Sequence, residues 1–430
     1  MSVSQCVTVL KSLVLVATML IDHPKSSPLS SSLWKVVDLF SGCGGMSAGF
    51  HAHKEYFEIV GAVDREIAKP GRGKHKASST QCNSTYHRNI GVMPKNADLM
   101  TLNPQTYRKE LGLNKGELDV LIACPPCTGF SQKNSKNHLE DDPRNQLVGR
   151  IAYFVEEFLP EFLVMENVKE LLRGKHNHHF LRLVDRLEFL NYSIYANIHE
   201  FSNFGLPQRR ERALVIARRD HGFIVDNPLK PIKNKMTVWD TISCLPEIDA
   251  GEVHPSDPMH LSPGMTSIVQ LRIQSIPKDG GSWGDIMNDP DISESEKHRL
   301  LIPSMFRAKR GSFPDVYGRL KWHSVAATIT RECGHVGNGR YAHPEQDRLL
   351  TIREMSLLQG FPSSYFFEGP LSARYNQIGD AVPPFISSQI AQYIIQLRLT
   401  PPIPKTFFQA SSQVVNQLSL HRDIGMPFRV

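Results

Sequence analysis

Short apolar runs separated by polar, glycine-containing turns recur along the first half of the chain. Runs rich in Val, Ile, Leu and Phe predict buried strands at 34–40, 57–63, 119–123, 161–165 and 213–218. Patterns of helical period lie between them, around 80–88, 146–158 and 179–190. Strands that alternate with helices are typical of a mostly parallel sheet with helices on its faces, so we expect an α/β fold.

The turn after the first predicted strand is rich in small residues. It contains Gly42, Gly44, Gly45 and Gly49, a spacing that departs from a strict G-x-G-x-x-G pattern. Such a turn lets the backbone approach a ligand closely, although it can also serve close packing alone. Asp64 ends the second predicted strand, where a carboxylate can accept ribose hydroxyls or can cap a helix.

The predicted strand 119–123 stops at Pro125 and Pro126, and Cys127 follows in a polar loop. A strand end followed by a polar loop is where an α/β sheet presents reactive groups, so Cys127 is a candidate nucleophile. Glu166 directly follows the predicted strand 161–165 and is a second candidate site residue, although it could instead cap a helix over 169–173.

Two arginines introduce the next predicted strand. Arg210 and Arg212 alternate along the chain, so both should point to one face, either towards a site or towards solvent.

From about 226 to 339 the chain becomes rich in Pro, Gly and Ser. Basic residues there, among them Arg299, Arg307 and Arg319, interleave with aromatic ones, which suits a nucleic-acid surface or a solvated charge run.

Composition narrows the class of protein. The 430 residues are 40% hydrophobic and carry a net charge of +6, which fits a globular, mildly basic chain and permits a polyanionic partner. Seven cysteines without framework spacing favour a reducing compartment. The apolar run 6–21 is short for a membrane span and lacks a preceding basic region, so an added helix or an over-extended start is favoured over a targeting signal.

Five motifs in order carry a family resemblance. They are Asp38–Gly45 (DLFSGCGG), Pro126-Cys127, Glu166-Asn167-Val168, Gln208–Arg212 (QRRER) and Gly379–Pro384 (GDAVPP). In this order and over 35–397 the chain resembles the cytosine-C5 DNA methyltransferases. The resemblance implies a Rossmann-like, mostly parallel sheet that binds S-adenosylmethionine, with a smaller irregular target-recognition domain.

The resemblance also implies roles for individual residues. Cys127 would be the nucleophile, Glu166 would engage the base edge, and Arg212, supported by Arg210, would reach the cytosine carbonyl. The cofactor would be held by the first turn, two acids, an arginine and parts of the other motifs: Phe40, Ser41, Gly42, Cys43, Gly44, Gly45, Asp64, Arg65, Asp98, Pro126, Asp380 and Ala381. Asp64 would take the ribose, while Arg65 and Asp98 would lie near the adenine.

The chain departs from the family pattern at two positions. Thr128 stands where the family most often has Gln, in a loop that should tolerate it. Asp380 stands where the family usually has Asn, which brings a negative charge near the cofactor carboxylate unless Asp380 contacts the amino group or a water.

These motifs set the expected domain organisation. We expect an N-terminal extension over 1–33, a catalytic and cofactor-binding domain over 34–230 and a target-recognition domain over 231–339. The catalytic domain resumes over 340–400, where the polar residues 375–384 would open a closing helix over 385–398, and 401–430 form a tail. The chain would act as a monomer on double-stranded DNA in the cytoplasm of a prokaryote, with a cognate restriction endonuclease as a candidate partner.

Other functions stay open on the residues alone. Cys124-x-x-Cys127 could suggest zinc or redox chemistry, but both intervening residues are Pro and no second pair at zinc spacing follows, so no metal is predicted. A nicotinamide oxidoreductase would also use a glycine turn and Asp64. An RNA cytosine methyltransferase, or a DNA-binding module without activity, would keep the same fold.

Overall fold

Seven strands form one mixed sheet. The computed structural model describes residues 32–66, 79–126, 141–219, 227–307 and 315–399. The strands are β1 (Trp34–Leu39), β2 (Phe57–Asp64), β3 (Lys95–Asn96), β4 (Val120–Ala123), β5 (Phe162–Val168), β6 (Tyr192–Glu200) and β7 (Glu211–Arg219). Their order is β3-β2-β1-β4-β5-β7-β6. β1 pairs in parallel with β2, β2 with β3, and β4 with β5, whereas β7 runs antiparallel to β5. The predicted α/β fold with a mostly parallel sheet is confirmed.

Helices follow most of the strands. Those of the first half are α1 (Gly45–His51), α2 (Cys82–Ile90), α3 (Pro104–Glu110), α4 (Gln146–Phe158), α5 (Glu170–Arg173) and α6 (His178–Phe189). Those of the second half are α7 (Val238–Ile242), α8 (Ser267–Gln274), α9 (Trp283–Asn288), α10 (Glu294–Leu300), α11 (Pro303–Phe306), α12 (Ile352–Leu358), α13 (Leu371–Asp380) and α14 (Pro384–Leu399). Short 3-10 turns lie at Pro143–Asn145, Phe201–Phe204 and Val336–Asn338. Among the described residues, no helix has the length and apolar character needed to span a membrane.

The chain divides into two compact units. The first holds the described residues of Met1–Leu102, Glu200–Glu211 and Leu229–Gln392, and the second those of Asn103–His199, Arg212–Pro228 and Tyr393–Val430. The predicted target-recognition segment 231–339 thus lies in the first unit, together with β1, β2 and β3. The expected boundaries at 230 and 339 remain a prediction.

Local sequence explains the elements best where the apolar pattern is strong. In β4 all four side chains are buried, and the strand ends where Pro125 and Pro126 can no longer donate to a ladder. In α4 the residues Val148, Ile151 and Val155 are buried at helical spacing, and the helix has the predicted bounds.

The last motif lies differently from its prediction. The polar residues from Tyr375 to Pro384 were expected to open the long closing helix. Instead Tyr375–Asp380 form the last turns of α13, and α14 begins only at Pro384. Asp380 is therefore the last residue of α13, and residues 381–383 connect it to α14.

Candidate active site

In the first unit, the glycine turn is held against the end of β2. Phe40, Gly42 and Gly44 have φ angles of 65°, 51° and 93°, so the chain turns sharply directly after β1. The backbone N–H of Ser41 donates to the carbonyl of Val63 at 3.0 Å. The N–H of Gly42 donates to Oδ2 of Asp64 at 2.9 Å. The structure thus brings together the first turn and the acid that the sequence singled out.

The environment of Asp64 favours its neutral form more than water does. Burial raises the pKa of this carboxyl to about 6, against the opposing effect of the hydrogen bond from Gly42. A carboxyl held at the end of β2, beside a turn of backbone amides, can bind the hydroxyls of a ribose.

Close packing explains why the turn needs glycine at two positions. A Cβ atom at Gly45 would lie 2.2 Å from the carbonyl oxygen of Val382, and one at Gly44 would lie 2.8 Å from the hydroxyl of Tyr365. That hydroxyl donates to the carbonyl of Cys43 at 2.6 Å. The turn is therefore fixed by contacts from the last motif and from the segment after α12.

Arg65 and Asp98 form an ion pair with each other. Nη1 of Arg65 lies 2.8 Å from Oδ2 of Asp98, and the N–H of Met100 donates to Oδ1 of Asp98 at 2.9 Å. The two side chains are 59% and 33% exposed, so the pair adds little to stability. Arg65 directly follows Asp64 in the chain, and both side chains of the pair are exposed enough to contact a ligand.

Asp380 is paired with a cation. Its carboxylate accepts from Nη1 of Arg331 in a short ion pair. This contact offsets the negative charge that distinguishes Asp380 from the usual family residue. The carbonyl of the next residue, Ala381, accepts from Nε2 of Gln359 at 2.8 Å and from Arg210 at 3.1 Å.

In the second unit, two strand ends are tied together beside the cysteine motif. Nδ2 of Asn167 donates to the carbonyl of Pro125 at 2.9 Å, which fixes the chain directly after β4 to the end of β5. Pro126 is exposed. Cys127 and the loop to residue 140 lie outside the described residues.

Glu166 and Arg212 form the central pair of the second unit. Nε of Arg212 lies 3.1 Å from Oε1 of Glu166, with the two side chains 15% and 9% exposed. The approach is an ion pair but lacks hydrogen-bond geometry, so Oε1 is buried without a hydrogen-bond partner among the described residues. A buried carboxylate with unused capacity beside a guanidinium can bind a polar ligand edge.

The two arginines of the fourth motif have different partners. Arg210 lies directly before β7 and is 3% exposed. Its guanidinium donates to the carbonyls of Ile329 and Ala381. These contacts show Arg210 holding backbone in the first unit, whereas Arg212 pairs with Glu166. Sequence spacing alone could not separate them, because the carbonyls come from distant parts of the chain.

Only some of the basic residues expected to form a nucleic-acid surface are exposed. Arg319 is fully buried, and its guanidinium donates to the carbonyls of Ile273, Ile276 and His343. It therefore holds separate backbone stretches between residues 273 and 343 together instead of facing solvent. Arg299 pairs with Glu296 on α10 with its own side chain 62% exposed. Residues 308–314 lie outside the described residues.

A buried polar network behind the turn was missed at the sequence level. Asp38 is 1% exposed in β1 and accepts a hydrogen bond of 2.5 Å from the hydroxyl of Ser47, which itself accepts from Tyr86 at 2.8 Å. Burial raises the pKa of Asp38 to about 7, against the opposing effect of the Ser47 hydrogen bond. The signal in the sequence was an acid within an otherwise apolar run.

Comparisons with known proteins point to one family. The family model described as C-5 cytosine-specific DNA methylase matches residues 34–396. The chain is 32% identical over 366 residues to the Type II methylase M.HgiDII of Herpetosiphon aurantiacus, covering 84% of this chain and 94% of the relative. It is 30% identical over 365 residues to the Type II methyltransferase M1.HphI of Haemophilus parahaemolyticus, covering 84% of this chain and 86% of the relative.

A solved structure agrees in fold. A prophage-encoded protein of E. coli, described as a DNA modification methyltransferase, superposes with a TM-score of 0.63 at 21% identity. The match covers 86% of this chain and 100% of that protein. At this identity the likeness concerns the fold.

Proposed function

Because the chain belongs to the C-5 cytosine-specific DNA methylase family, we propose that it methylates carbon 5 of cytosine in a specific duplex DNA sequence. The methyl group would come from S-adenosylmethionine, and Cys127 would form a covalent adduct with a flipped-out base. The observation that carries this proposal is the buried pair of Glu166 and Arg212 on neighbouring strands.

The residues of the first unit fit the proposed cofactor. The turn after β1 presents small residues and backbone amides, and Gly42 orients the carboxyl of Asp64. Bound there, S-adenosylmethionine supplies an electrophilic methyl group. Asp64 would bind the ribose, the Arg65–Asp98 pair would lie along the adenine, and Asp380, with its charge offset by Arg331, would bind the amino-acid end.

The chemistry of cytosine explains the residue types in the second unit. Carbon 5 is a poor nucleophile until a thiolate adds at carbon 6, which is why Cys127 suits the task. Negative charge then builds on the ring. A proton shared between Glu166 and ring nitrogen 3, together with the guanidinium of Arg212 near the carbonyl, would stabilise that charge.

Carbon 5 would take the methyl group as the bond from that group to the cofactor sulfur breaks, and completion of the reaction then needs removal of the proton at carbon 5 and departure of the thiolate. After carbon 5 has taken the methyl group, a base removes the proton at carbon 5, and the thiolate of Cys127 leaves from carbon 6. This elimination restores the aromatic ring and the free enzyme. Because a stacked base is unreachable in a duplex, the target cytosine must leave the helix before Cys127 can attack.

The partners follow from the same proposal. Duplex DNA is the substrate, and the segment 231–339 would read its sequence in the grooves. Since two relatives are named a Type II methylase and a Type II methyltransferase, a cognate restriction endonuclease is a proposed partner. We further propose that the chain acts as a monomer.

Methyl transfer from labelled cofactor to duplex DNA, followed by bisulfite sequencing, tests the proposal. We expect C5-methylated cytosines at one sequence motif, whereas label entering RNA and not DNA would support the RNA alternative.

Asp64→Asn should weaken cofactor binding. Asp119→Asn is the matched control, because Asp119 lies before β4 in the second unit. Equal cofactor binding by both variants and the parent would contradict the ribose assignment.

A further inference from the structure

An aspartate and a group of histidines converge in the second unit. Asp141 is the first described residue after 127–140, and His178 and His179 begin helix α6. The candidate ligand atoms of these three residues all lie within 4.8 Å of one another. None of them belongs to the motifs that carry the methyltransferase resemblance.

The distances fit a metal coordination shell. Nε2 of His178 lies 3.4 Å from Oδ2 of Asp141, and Nε2 of His179 lies 2.8 Å from the same oxygen. Ligands on a tetrahedral zinc shell are about 3.3 Å apart. A metal ion can therefore take the place of the proton that now joins His179 to Asp141, with small side-chain movements.

The surroundings orient the ligands. Nδ2 of Asn145, a fully buried residue, donates to Oδ1 of Asp141 at 2.7 Å, which leaves Oδ2 directed at the imidazoles. Hydrogen-bonded carboxylates of this kind are typical of metal sites. His176 lies near the other carboxylate oxygen, with Nδ1 3.6 Å from Oδ1, and is not part of the group of three close ligand atoms.

The residue types also suit a metal ion. Imidazole nitrogen and carboxylate oxygen are donor atoms that divalent transition metals bind.

We propose that Asp141, His178 and His179 bind one divalent transition-metal ion, with Zn²⁺ as the first candidate. The ion would tie the residue that follows 127–140 to the start of helix α6. This is a positioning site, since none of its ligands is among the residues proposed to contact the base or the cofactor.

Metal binding can be measured directly on the full chain without an affinity tag. After treatment with a chelator, the protein is titrated with Zn²⁺ by calorimetry and with Co²⁺ by visible absorption. We expect one equivalent to bind, with visible bands of inner-sphere Co²⁺, and the thermal midpoint to rise in Zn²⁺. His178→Ala and Asp141→Asn should each weaken binding at least about tenfold, since each removes one of three ligands.

The control is His87→Ala, which removes an exposed histidine of helix α2 in the other unit. It should bind Zn²⁺ like the parent protein. Asp141→Asn preserves side-chain shape and keeps the test informative if His178→Ala does not fold. Absence of binding at 100-fold molar excess of Zn²⁺, or binding that is unchanged in both variants, would overturn the proposal. Binding that is lost instead in Cys127→Ala would also overturn it, because a cysteine site would then hold the metal.

Discussion

Nε of Arg212 on β7 lies 3.1 Å from Oε1 of Glu166 on β5. In the antiparallel register Glu166 is opposite Leu214 and Arg212 is opposite Val168, so the two residues are diagonal neighbours on one face. Both are largely removed from water, which strengthens their attraction and their effect on any bound charge. The pairing of β5 with β7 therefore places the carboxylate of Glu166 beside the guanidinium of Arg212, in the unit that also contains the cysteine motif.

Replacing the carboxylate tests its proposed role in charge stabilisation. Glu166→Gln should lower the rate of methyl transfer by about 10²- to 10³-fold, because an amide cannot share a proton with the base. Single-turnover kinetics with saturating duplex DNA and cofactor measure this rate. Glu161→Gln, which affects an acid paired with Arg218 outside the motifs, is the matched control and should retain the rate. Equal rates for both variants would show that Glu166 has no part in the chemistry.

The ion pair of Arg331 and Asp380 predicts a compensating double variant. Arg331→Ala leaves the charge of Asp380 without this partner and should weaken cofactor binding by about threefold to fivefold, as expected for a pair that is partly exposed. Asp380→Asn alone should be tolerated, and the double variant should bind like Asp380→Asn. Calorimetry at low and high salt measures these affinities. If the double variant binds as weakly as Arg331→Ala, charge compensation is not the reason for the pair.

Two glycines offer a matched test of the packing around the turn. Gly45→Ala would place a Cβ atom 2.2 Å from the carbonyl of Val382, and the required shift should cost about 1–3 kcal/mol of stability. Gly149 lies within helix α4 with no neighbouring atom within 4 Å of an added Cβ, so Gly149→Ala should add about 1 kcal/mol. Urea unfolding measures both effects. A Gly45→Ala protein as stable as the parent would refute the close contact.

The raised pKa of Asp38 predicts a pH effect on stability. Its pKa rises from 3.8 to about 7 on folding, so between these values the folded state holds a proton that the unfolded state lacks. This contribution is fully present below pH 3.8 and is lost as pH rises through 7, at a cost of up to about 4 kcal/mol. Asp38→Asn, which can still accept from Ser47, should therefore unfold at a higher temperature than the parent at pH 8.

The difference between Asp38→Asn and the parent should shrink as the pH is lowered towards 4. Thermal unfolding followed over pH 4–8 checks the trend, and Asp98→Asn, at a partly exposed site, serves as control. A difference that stays constant over this range would contradict the titration of Asp38.

The sequence predicted what depends on local pattern. Helix α4 has the expected bounds because its apolar residues repeat at helical spacing, and the apolar run of β4 ends at two prolines as expected. The motifs predicted the family and the sheet. Helix α13 was missed because its polar residues carry a weak apolar pattern.

The rest depends on contacts between distant residues. The carbonyls that accept hydrogen bonds from Arg210 belong to Ile329 and Ala381. The carbonyls that accept from Arg319 also come from separate segments. Asp141 lies close to His178 and His179 in the second unit, although it is distant from them in the sequence. No local sequence pattern predicts contacts between residues that are so far apart in the chain. The spacing of charged residues therefore could not distinguish a site residue from a structural one.

Trapping the covalent adduct tests the central claim most directly. A duplex that contains 5-fluorocytosine at the methylated position cannot lose a proton from carbon 5, so the enzyme should remain bound through sulfur to carbon 6. Peptide mapping by mass spectrometry should place the adduct on Cys127, and Cys127→Ala should form none while still binding the cofactor. An adduct on Cys124, or full methyl transfer by Cys127→Ala, would contradict the account.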